Sequence, residues 1–237
     1  MSATAGVLPA PVVLRAPYRP LFDADPVWRY ALLTGGRGSG KSFHLSAFLL
    51  NLTYAPGHVI LFTRYTMESA SASIIPEFVD KIDLLGKAAD FDVTRAEIVN
   101  RLTGSRILFR GIKTSSGNQT AKLKSIQGVT TWVLDEAEEL VDRKTFETID
   151  DSIRAVGQVN RVILSLNPST VDHFLYAMFI ETRRADTLYI HTTWQDNRAN
   201  LSQSFLQKVI QTQTDNPPRY AHIYGGSWLK ESVGLLW

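Results

Sequence analysis

The sequence predicts an α/β domain built on a mainly parallel β-sheet flanked by helices. Two observations lead to this fold class. Short apolar runs typical of buried strands alternate with longer helical patterns, and this alternation indicates parallel strands joined by right-handed crossovers. In addition, 44% of the 237 residues are hydrophobic, which is enough to build one sizeable core.

The first half of the predicted domain begins with a strand at Tyr30–Thr34 and a helix at Lys41–Tyr54. The continuous apolar run of "PGHVILFTR" predicts a second strand around His58–Thr63, buried on both faces. A helix is expected over Ser69–Leu85, and Pro76 within it predicts a break or a kink.

The second half begins with "EIVNRLTGSRILFRGI", which alternates around a turn at Thr103-Gly104-Ser105 and predicts a β-hairpin. Three further strands are predicted in "TTWVLD", in "NRVILSLNP", which Pro168 stops, and in "TLYIHTTW". Helical pattern covers roughly Arg143–Val156 and Ser202–Gln213. Residues 1–20 lack periodicity and are expected to form an N-terminal arm.

Composition excludes several classes of protein. The chain has no cysteine, so a disulfide framework and thiolate metal ligands are excluded. No apolar run is long enough to span a membrane, and no secretory signal pattern is present, which favours a soluble, intracellular protein. The five histidines are scattered without metal-ligand spacing, and the net charge of +2 does not by itself indicate a nucleic-acid partner.

Charge is unevenly distributed along the chain. The stretch Arg101–Lys124 contains six basic residues and no acid, whereas Asp135–Asp151 contains eight acids and two basic residues. Either stretch can be an ordinary solvated face. Alternatively, the first is a surface for a polyanion and the second surrounds a metal site.

The stretch Gly35-Gly36-Arg37-Gly38-Ser39-Gly40-Lys41-Ser42 fits the phosphate-loop pattern G-x-x-x-x-G-K-[ST]. Backbone N–H groups can approach phosphate oxygens only where side chains are absent, and the following helix directs its positive end at the same anion. Lys41 is expected to reach the β- and γ-phosphates, and the Ser42 hydroxyl to hold Mg²⁺. The pattern predicts a site for a nucleoside triphosphate.

A pair of acids, Asp135 and Glu136, ends the strand "TTWVLD". This strand is expected to lie beside the phosphate-loop strand, so that Asp135 binds Mg²⁺ directly or through water. Glu136 is expected to point elsewhere and to polarise a water for attack on the γ-phosphate. Such a pair favours ATP hydrolysis, whereas Glu138 and Glu139 are interpreted as acids at a helix N-terminus.

A third polar group, Ser165 and Asn167, ends the strand in "LSLNPST". A neutral side chain at this edge can sense the γ-phosphate or the attacking water. The alternative is that Asn167-Pro168 only begins a turn.

Together, "GGRGSGKS", "KLKSIQGVTTWVLDEAEEL", "ILSLNPS" and "RYAHIYGGSW" resemble, in order, the ATPase domain of the large terminase subunit of tailed bacteriophages. The resemblance covers Leu21 to Trp228. It implies a P-loop NTPase fold of the ASCE/RecA-like class, ATP and Mg²⁺ as cofactors, and roles for Asp135 in metal binding, for Glu136 in catalysis and for Ser165–Asn167 in coupling.

The resemblance also suggests further site residues. Arg37 corresponds to an arginine within the family's phosphate loop that stabilises the γ-phosphate; an arginine from a neighbouring subunit is the alternative. Candidates for adenine contact are Tyr18, Arg19 and Phe22. The family usually continues into a nuclease domain, so residues 21–228 are interpreted as the ATPase domain and 229–237 as the start of a linker, and nuclease activity is not expected from these residues.

The implied function is translocation of double-stranded viral DNA into a procapsid. DNA is expected to be held through its phosphates without sequence readout, with Lys113, Lys122 and Lys124 as candidate contacts. Expected partners are the portal protein and the small terminase subunit, but no membrane. The chain is expected to be a monomer in isolation and a homo-oligomeric ring on the procapsid, in the host cell cytoplasm.

Two other functions are compatible with the same residues. A helicase is one alternative, because Asp135-Glu136-Ala137-Glu138 resembles a DExx box. The other is a nucleotide-gated assembly module that does not turn over ATP.

Overall fold

The computed structural model describes residues 13–23, 28–67, 70–114, 117–118 and 120–230. The described strands are β1 (Tyr30–Gly35), β2 (Val59–Thr66), β3 (Phe91–Val93), β4 (Glu97–Asn100), β5 (Arg106–Thr114), β6 (Gly117–Asn118), β7 (Thr131–Asp135), β8 (Arg161–Leu166) and β9 (Thr187–Thr192). The helices are α1 (Lys41–Leu52), α2 (Ala70–Leu84), α3 (Thr120–Lys124), α4 (Arg143–Asp150), α5 (Gln203–Asp215) and α6 (Pro217–Ile223).

The described strands form one mixed sheet in the order β3-β4-β5-β2-β7-β8-β1-β9, and β6 pairs with β5. The six strands from β5 to β9 in this order pair in parallel. Strands β3, β4 and β6 pair in antiparallel orientation at one side. The predicted α/β class with a mainly parallel sheet is therefore confirmed.

The strand neighbours differ from the prediction in one respect that matters for the site. The strand that ends at Asp135 does not lie beside the phosphate-loop strand, because β8 lies between β7 and β1. Ser165 of β8 pairs in register with Asp135 on one side and with Leu33 on the other. The polar end of β8 therefore separates the phosphate loop from the acids.

The predicted hairpin is present, since β4 and β5 are antiparallel around the turn that contains Gly104. Its second strand, β5, also pairs in parallel with β2 and is thus part of the central sheet. The expected break at Pro76 is not seen, because α2 continues through it. Buried Ile75, Phe78 and Ile82 anchor this helix to the core, and this packing outweighs the cost of a proline within a helix.

Apolar residues cover both faces of the sheet. One face packs against α1 and α2 through residues such as Leu49 and Phe78. The other packs against α3, α4 and a π-helical turn at Tyr176–Glu181, with Trp132 and Phe146 fully buried. Such two-sided burial explains why the parallel strands are continuous apolar runs.

Two segments outside the sheet pack near the end of β1. A 3₁₀ helix at Ala16–Phe22 inserts Tyr18 and Leu21 into the core, and it crosses the predicted boundary between residues 20 and 21. At the other side, α5 and α6 enclose a small apolar cluster with Trp194 and Tyr224. Within the described ranges, no helix has the length and apolar character needed to cross a bilayer. The predicted linker lies largely outside the described residues, which end at Lys230.

Candidate active site

The phosphate loop connects β1, which ends at Gly35, to α1, which begins at Lys41. Gly38 and Gly40 adopt left-handed backbone conformations, with φ of 80° and 85°. Residues with a Cβ rarely adopt such values, so glycine at these two positions is required for the shape of the loop. The loop exposes Arg37 and Ser42, whereas Ser39 is buried.

The side chain of Lys41 is folded back into the loop. Its Nζ donates to Gly35 O at 2.9 Å, to Gly36 O at 3.4 Å and to Ser39 Oγ at 3.3 Å. A fourth bond, at 3.0 Å, reaches Asn167 Oδ1 across the site. Burial lowers the pKa of Lys41 to about 8, and the nearby carboxylates oppose this shift. The ammonium group is thus held by neutral oxygens of the loop and of Asn167.

The end of α6 and the residues that follow it pack against the loop. The backbone N–H of Arg37 donates to Ile223 O at 2.8 Å. A Cβ on Gly36 would lie only 2.1 Å from Tyr224 O, and a Cβ on Gly226 would lie 2.8 Å from the backbone of Gly35. The last part of the described chain therefore supports the loop through close backbone contacts.

The two acids lie at the end of β7. Asp135 is buried, and Glu136 is half-buried with a left-handed φ of 52°. Such a φ is uncommon for a residue with a long side chain. It ends the strand abruptly and starts a 3₁₀ turn at Ala137–Glu139. Burial raises the pKa of Glu136, and this effect exceeds the opposing influence of Arg64.

Arg64, from β2, binds both acids. Its Nε and Nη2 donate to Asp135 Oδ2 at 2.9 and 2.7 Å, and its Nη1 lies 3.4 Å from Glu136 Oε2. Burial alone lowers the pKa of Arg64, but the carboxylates outweigh burial and raise it. The sequence predicted no function for Arg64. The signal in the sequence is the position of Arg64 in "LFTRYT", near the end of β2. Because β2 runs parallel to β7, both strands end at the same edge of the sheet.

Asn167, just after β8, links the loop to the acidic turn. Its Oδ1 accepts from Lys41, and its Nδ2 donates to Glu138 Oε1 at 3.2 Å. Ser165, two residues earlier, is buried within the sheet. These contacts follow directly from the insertion of β8 between β7 and β1.

These elements surround one cavity of about 540 Å³, a size typical of a small-molecule site. The phosphate loop forms one wall, and the ends of β2, β7 and β8 form the opposite one. The predicted site residues that line it are Gly36, Arg37, Gly38, Ser39, Gly40, Lys41, Ser42, Asp135, Glu136, Ser165 and Asn167.

Two of the residues that line the cavity suit a magnesium ion. The hydroxyl of Ser42 and the carboxylate of Asp135 supply the oxygen ligands that Mg²⁺ prefers. Within the described ranges, no three His, Cys, Asp or Glu side chains form a metal-binding group. Magnesium commonly takes one or two protein ligands and completes its shell with phosphate and water, so the donor set fits.

Asn197, which the sequence did not indicate, also lines the cavity. It lies in a 3₁₀ helix at Trp194–Asn200 and donates from Nδ2 to Gly38 O at 3.0 Å. Its carboxamide lies 3.3 Å from the place where a Cβ on Gly40 would be. Sequence pattern gives little sign of such a residue, because its segment approaches the loop only in three dimensions.

The candidate adenine contacts lie behind the phosphate loop. Tyr18 is fully buried, stacks on His44 and bonds through its hydroxyl to Thr192 Oγ1 at 2.6 Å. Phe22 packs edge-on against Phe48, and Arg19 is exposed. Contact with a base stays a prediction for all three candidates.

The candidate DNA contacts lie away from the cavity. Lys122 and Lys124 are exposed on α3, and the ammonium of Lys113 lies 5.6 Å from the ring centre of Tyr65. Lys122 also lines a separate concavity of about 300 Å³ with Arg106 and Arg110.

A family model described as phage terminase large subunit matches residues 28–227. The chain belongs to this family. The predicted resemblance to large terminase subunits is therefore confirmed over most of the described residues.

Individual relatives agree with this assignment. The large terminase subunit of Bacillus phage SPP1 is 27% identical over 223 residues, covering 85% of this chain and 49% of that protein. The PBSX phage terminase large subunit of Bacillus subtilis is 24% identical over 211 residues, covering 81% of this chain and 47% of that protein. The chain thus spans about half the length of the curated relatives it matches.

Solved structures show the same fold. The large terminase of a thermophilic bacteriophage aligns with a TM-score of 0.73 at 14% identity, over 92% of this chain and 54% of that one. Its complexes with ADP and with ATP-γ-S align with TM-scores of 0.68 and 0.66. The large terminase ATPase domain of Thermus phage P74-26 aligns with a TM-score of 0.62 at 16% identity, over 89% of this chain and 92% of that one. The P-loop NTPase fold is thereby confirmed.

Proposed function

We propose that this chain is an ATP-hydrolysing motor domain that translocates double-stranded viral DNA into a procapsid. The observation that carries the proposal is the single cavity in which a phosphate loop faces Asp135, Glu136 and Asn167. Membership of the phage large terminase family favours this function over that of a helicase.

The nucleotide is ATP in this proposal. Backbone N–H groups of the loop and the N-terminus of α1 offer the environment that phosphate requires. Lys41 leaves its carbonyl acceptors in the loop and binds the β- and γ-phosphates. The ADP and ATP-γ-S complexes of the terminase from a thermophilic bacteriophage, which has the same fold, support this assignment.

Magnesium is proposed to be held by Ser42 and Asp135 together with phosphate oxygens. When bound, it neutralises charge that develops on the phosphates during hydrolysis. Asp135 Oδ2 accepts two bonds from Arg64, so a magnesium ion that binds this carboxylate competes with the arginine for its negative charge.

Glu136 is the proposed general base. A water attacks the γ-phosphorus, Glu136 accepts a proton from the water, and the bond from phosphorus to the β-γ bridging oxygen breaks to give ADP and phosphate. Arg37, exposed on the loop, is proposed to stabilise the transferring phosphoryl group, unless a neighbouring subunit supplies that arginine.

Asn167 and Ser165 are the proposed coupling residues. Asn167 accepts a hydrogen bond from Lys41. When a phosphate draws the Lys41 side chain away, Asn167 loses this hydrogen bond. Two residues later, Ser169 O accepts from Leu229 N at 2.9 Å. Leu229 lies at the end of the described chain, and this contact supports a short route from the nucleotide to the segment that follows the domain.

Double-stranded DNA is the proposed polyanion partner, held without sequence readout. Lys113, Lys122 and Lys124 are the proposed phosphate contacts, and Arg106 and Arg110 extend the basic surface around Lys122. Such contacts weaken steeply with salt. The variant Lys122→Ala should weaken the binding of unrelated duplex sequences equally. It should also reduce the slope of log K against log salt concentration by about one, the loss of one phosphate contact.

The remaining partners are proposed at the level of the whole motor. They are the portal protein and the small terminase subunit. The chain is proposed to be a monomer in isolation and a ring on the procapsid portal, in the host cytoplasm.

Phosphate release from ATP tests the function. The variant Glu136→Gln should lose turnover by about 100-fold or more while still binding ATP-γ-S, because a general base contributes about that much. Glu139→Gln, an exposed acid in the same turn, is the matched control and should keep the activity. Equal rates for the wild type and Glu136→Gln would show that Glu136 is not the general base.

The same assays distinguish the alternative functions. Binding of ATP without any turnover, even with DNA, would favour the assembly module, and duplex unwinding would favour the helicase.

A further inference from the structure

Glu138 lies beside the site and contacts it through Asn167, although the sequence suggested only an acid at a helix N-terminus. The left-handed Glu136 and the following 3₁₀ turn direct Glu138 back toward the end of β8. There its Oε1 accepts from Asn167 Nδ2 at 3.2 Å. Its Oε2 is buried and has no hydrogen-bond partner among the described residues. A carboxylate with one oxygen in this state is costly unless a positive charge lies near it.

The cation linked to Glu138 through hydrogen bonds is Lys41. Asn167 connects the two groups, because its Oδ1 accepts from Lys41 Nζ at 3.0 Å and its Nδ2 donates to Glu138. The two charges fix the orientation of the amide, since a flipped amide would place its NH₂ group against the ammonium. Among the acids that counteract the effect of burial on the pKa of Lys41, Glu138 has the largest influence and Asp135 the next. Burial raises the pKa of Glu138 itself, and the hydrogen bonds that it accepts from its own backbone and from Asn167 oppose this rise.

We infer that Glu138 is the counter-charge of Lys41 in the nucleotide-free state and positions Asn167 between them. This inference rests on the proposed nucleotide site. Binding of a triphosphate draws the Lys41 ammonium toward the phosphates, so that Asn167 loses a donor and Glu138 loses its cation. Glu138 thereby opposes phosphate binding and makes Asn167 responsive to it. It is a positioning residue, since it acts through Lys41 and Asn167.

The test is the affinity for ATP-γ-S, measured by calorimetric titration at constant pH and salt. Glu138→Gln keeps an oxygen acceptor for Asn167 but removes the negative charge. The affinity for ATP-γ-S should therefore increase by about fivefold or more, which is the lower end of the effects that one site has on the affinity of another. Glu138→Asp keeps the charge and should stay nearer to the wild type. Glu139→Gln, whose side chain is exposed, should match the wild type.

A second readout separates positioning from a purely structural role. Affinity for adenosine, which carries no phosphate, should be the same in Glu138→Gln and the wild type. If Glu138→Gln does not fold, Asn167→Ala repeats the test, because it removes the residue that links Lys41 to Glu138. An affinity for ATP-γ-S that is unchanged or lower in the variant would overturn the inference. Failure of the wild type itself to bind ATP-γ-S would instead contradict the proposed nucleotide site.

Discussion

The guanidinium of Arg64 makes two hydrogen bonds to one oxygen of Asp135, at 2.9 and 2.7 Å. The same guanidinium lies within ion-pair distance of Glu136. A single cation is therefore shared by the two adjacent acids. Any divalent ion that uses Asp135 competes with this arginine.

Arg64→Gln should make the fold dependent on magnesium. Without Arg64, two neighbouring carboxylates repel each other, and loss of a partly buried ion-pair partner should lower the free energy of unfolding by about 3 kcal/mol in EDTA. Magnesium should restore much of this loss and should raise the Tm of the variant more than that of the wild type.

The matched control for Arg64 is Arg143→Gln. Arg143 pairs with Glu147 on the exposed surface of α4, so its loss should change stability by only about 0.5 kcal/mol and should leave the response to magnesium unaltered. Thermal unfolding with and without magnesium measures both variants. An identical magnesium shift in Arg64→Gln and the wild type would contradict competition for Asp135.

Gly36→Ala should reduce nucleotide binding by a steric effect. The added Cβ would lie 2.1 Å from Tyr224 O, so either the loop or the segment after α6 must move. We expect the affinity for ADP to fall by about tenfold or more, a cost of about 1.4 kcal/mol, together with a lower Tm. The control is Gly104→Ala, which meets no atom within 4 Å and should affect Tm only, through its φ of 74°. Normal ADP binding by Gly36→Ala would show that the support from Tyr224 is not needed.

Asn197→Ala should weaken nucleotide binding without unfolding the protein. The variant removes the hydrogen bond to Gly38 O, which fixes the middle of the phosphate loop. Loss of about 1 kcal/mol corresponds to roughly a fivefold decrease in affinity for ADP. Gln195→Ala, an exposed position in the same 3₁₀ helix, is the control and should bind normally. Titration with a fluorescent ADP analogue measures the affinity of both variants. Equal affinities would show that the hydrogen bond from Asn197 to Gly38 does not support nucleotide binding.

Tyr18→Phe should change the pH dependence of stability. Burial raises the pKa of Tyr18 to about 12, so the hydroxyl stays protonated in the folded state at pH values where the unfolded chain ionises. The folded pKa is raised, so the contribution of Tyr18 is fully present below about pH 10 and is lost as the pH rises toward 12.

Denaturant titrations at pH 8 and pH 11 check this prediction for Tyr18. At pH 8 the phenylalanine variant should be less stable by about 1 kcal/mol, since it lacks the bond to Thr192. At pH 11 the difference should be close to zero, because about 1.4 kcal/mol of the wild-type stability is then lost to ionisation of the unfolded chain. A constant difference between the two pH values would be inconsistent with a buried, protonated Tyr18.

Local sequence determined much of the fold and part of the candidate site. The apolar runs that form β1, β2, β7 and β8 are buried over most of their length, and their composition favours a sheet that is covered on both faces. The glycines of the phosphate loop and the acids at the end of β7 are also local features, because backbone freedom and strand ends depend on neighbours in the chain.

Only the tertiary structure decided which strand ends meet and which side chains pair. The strand order put β8 between β7 and β1, so Asn167 touches both Lys41 and Glu138. It also brought Arg64 from β2 to Asp135, 71 residues away in the chain. Contacts between residues this distant in sequence follow from how the strands are ordered in the sheet. Periodicity and motif spacing describe single elements and contain no information about that order, which is why sequence patterns could not predict these pairs.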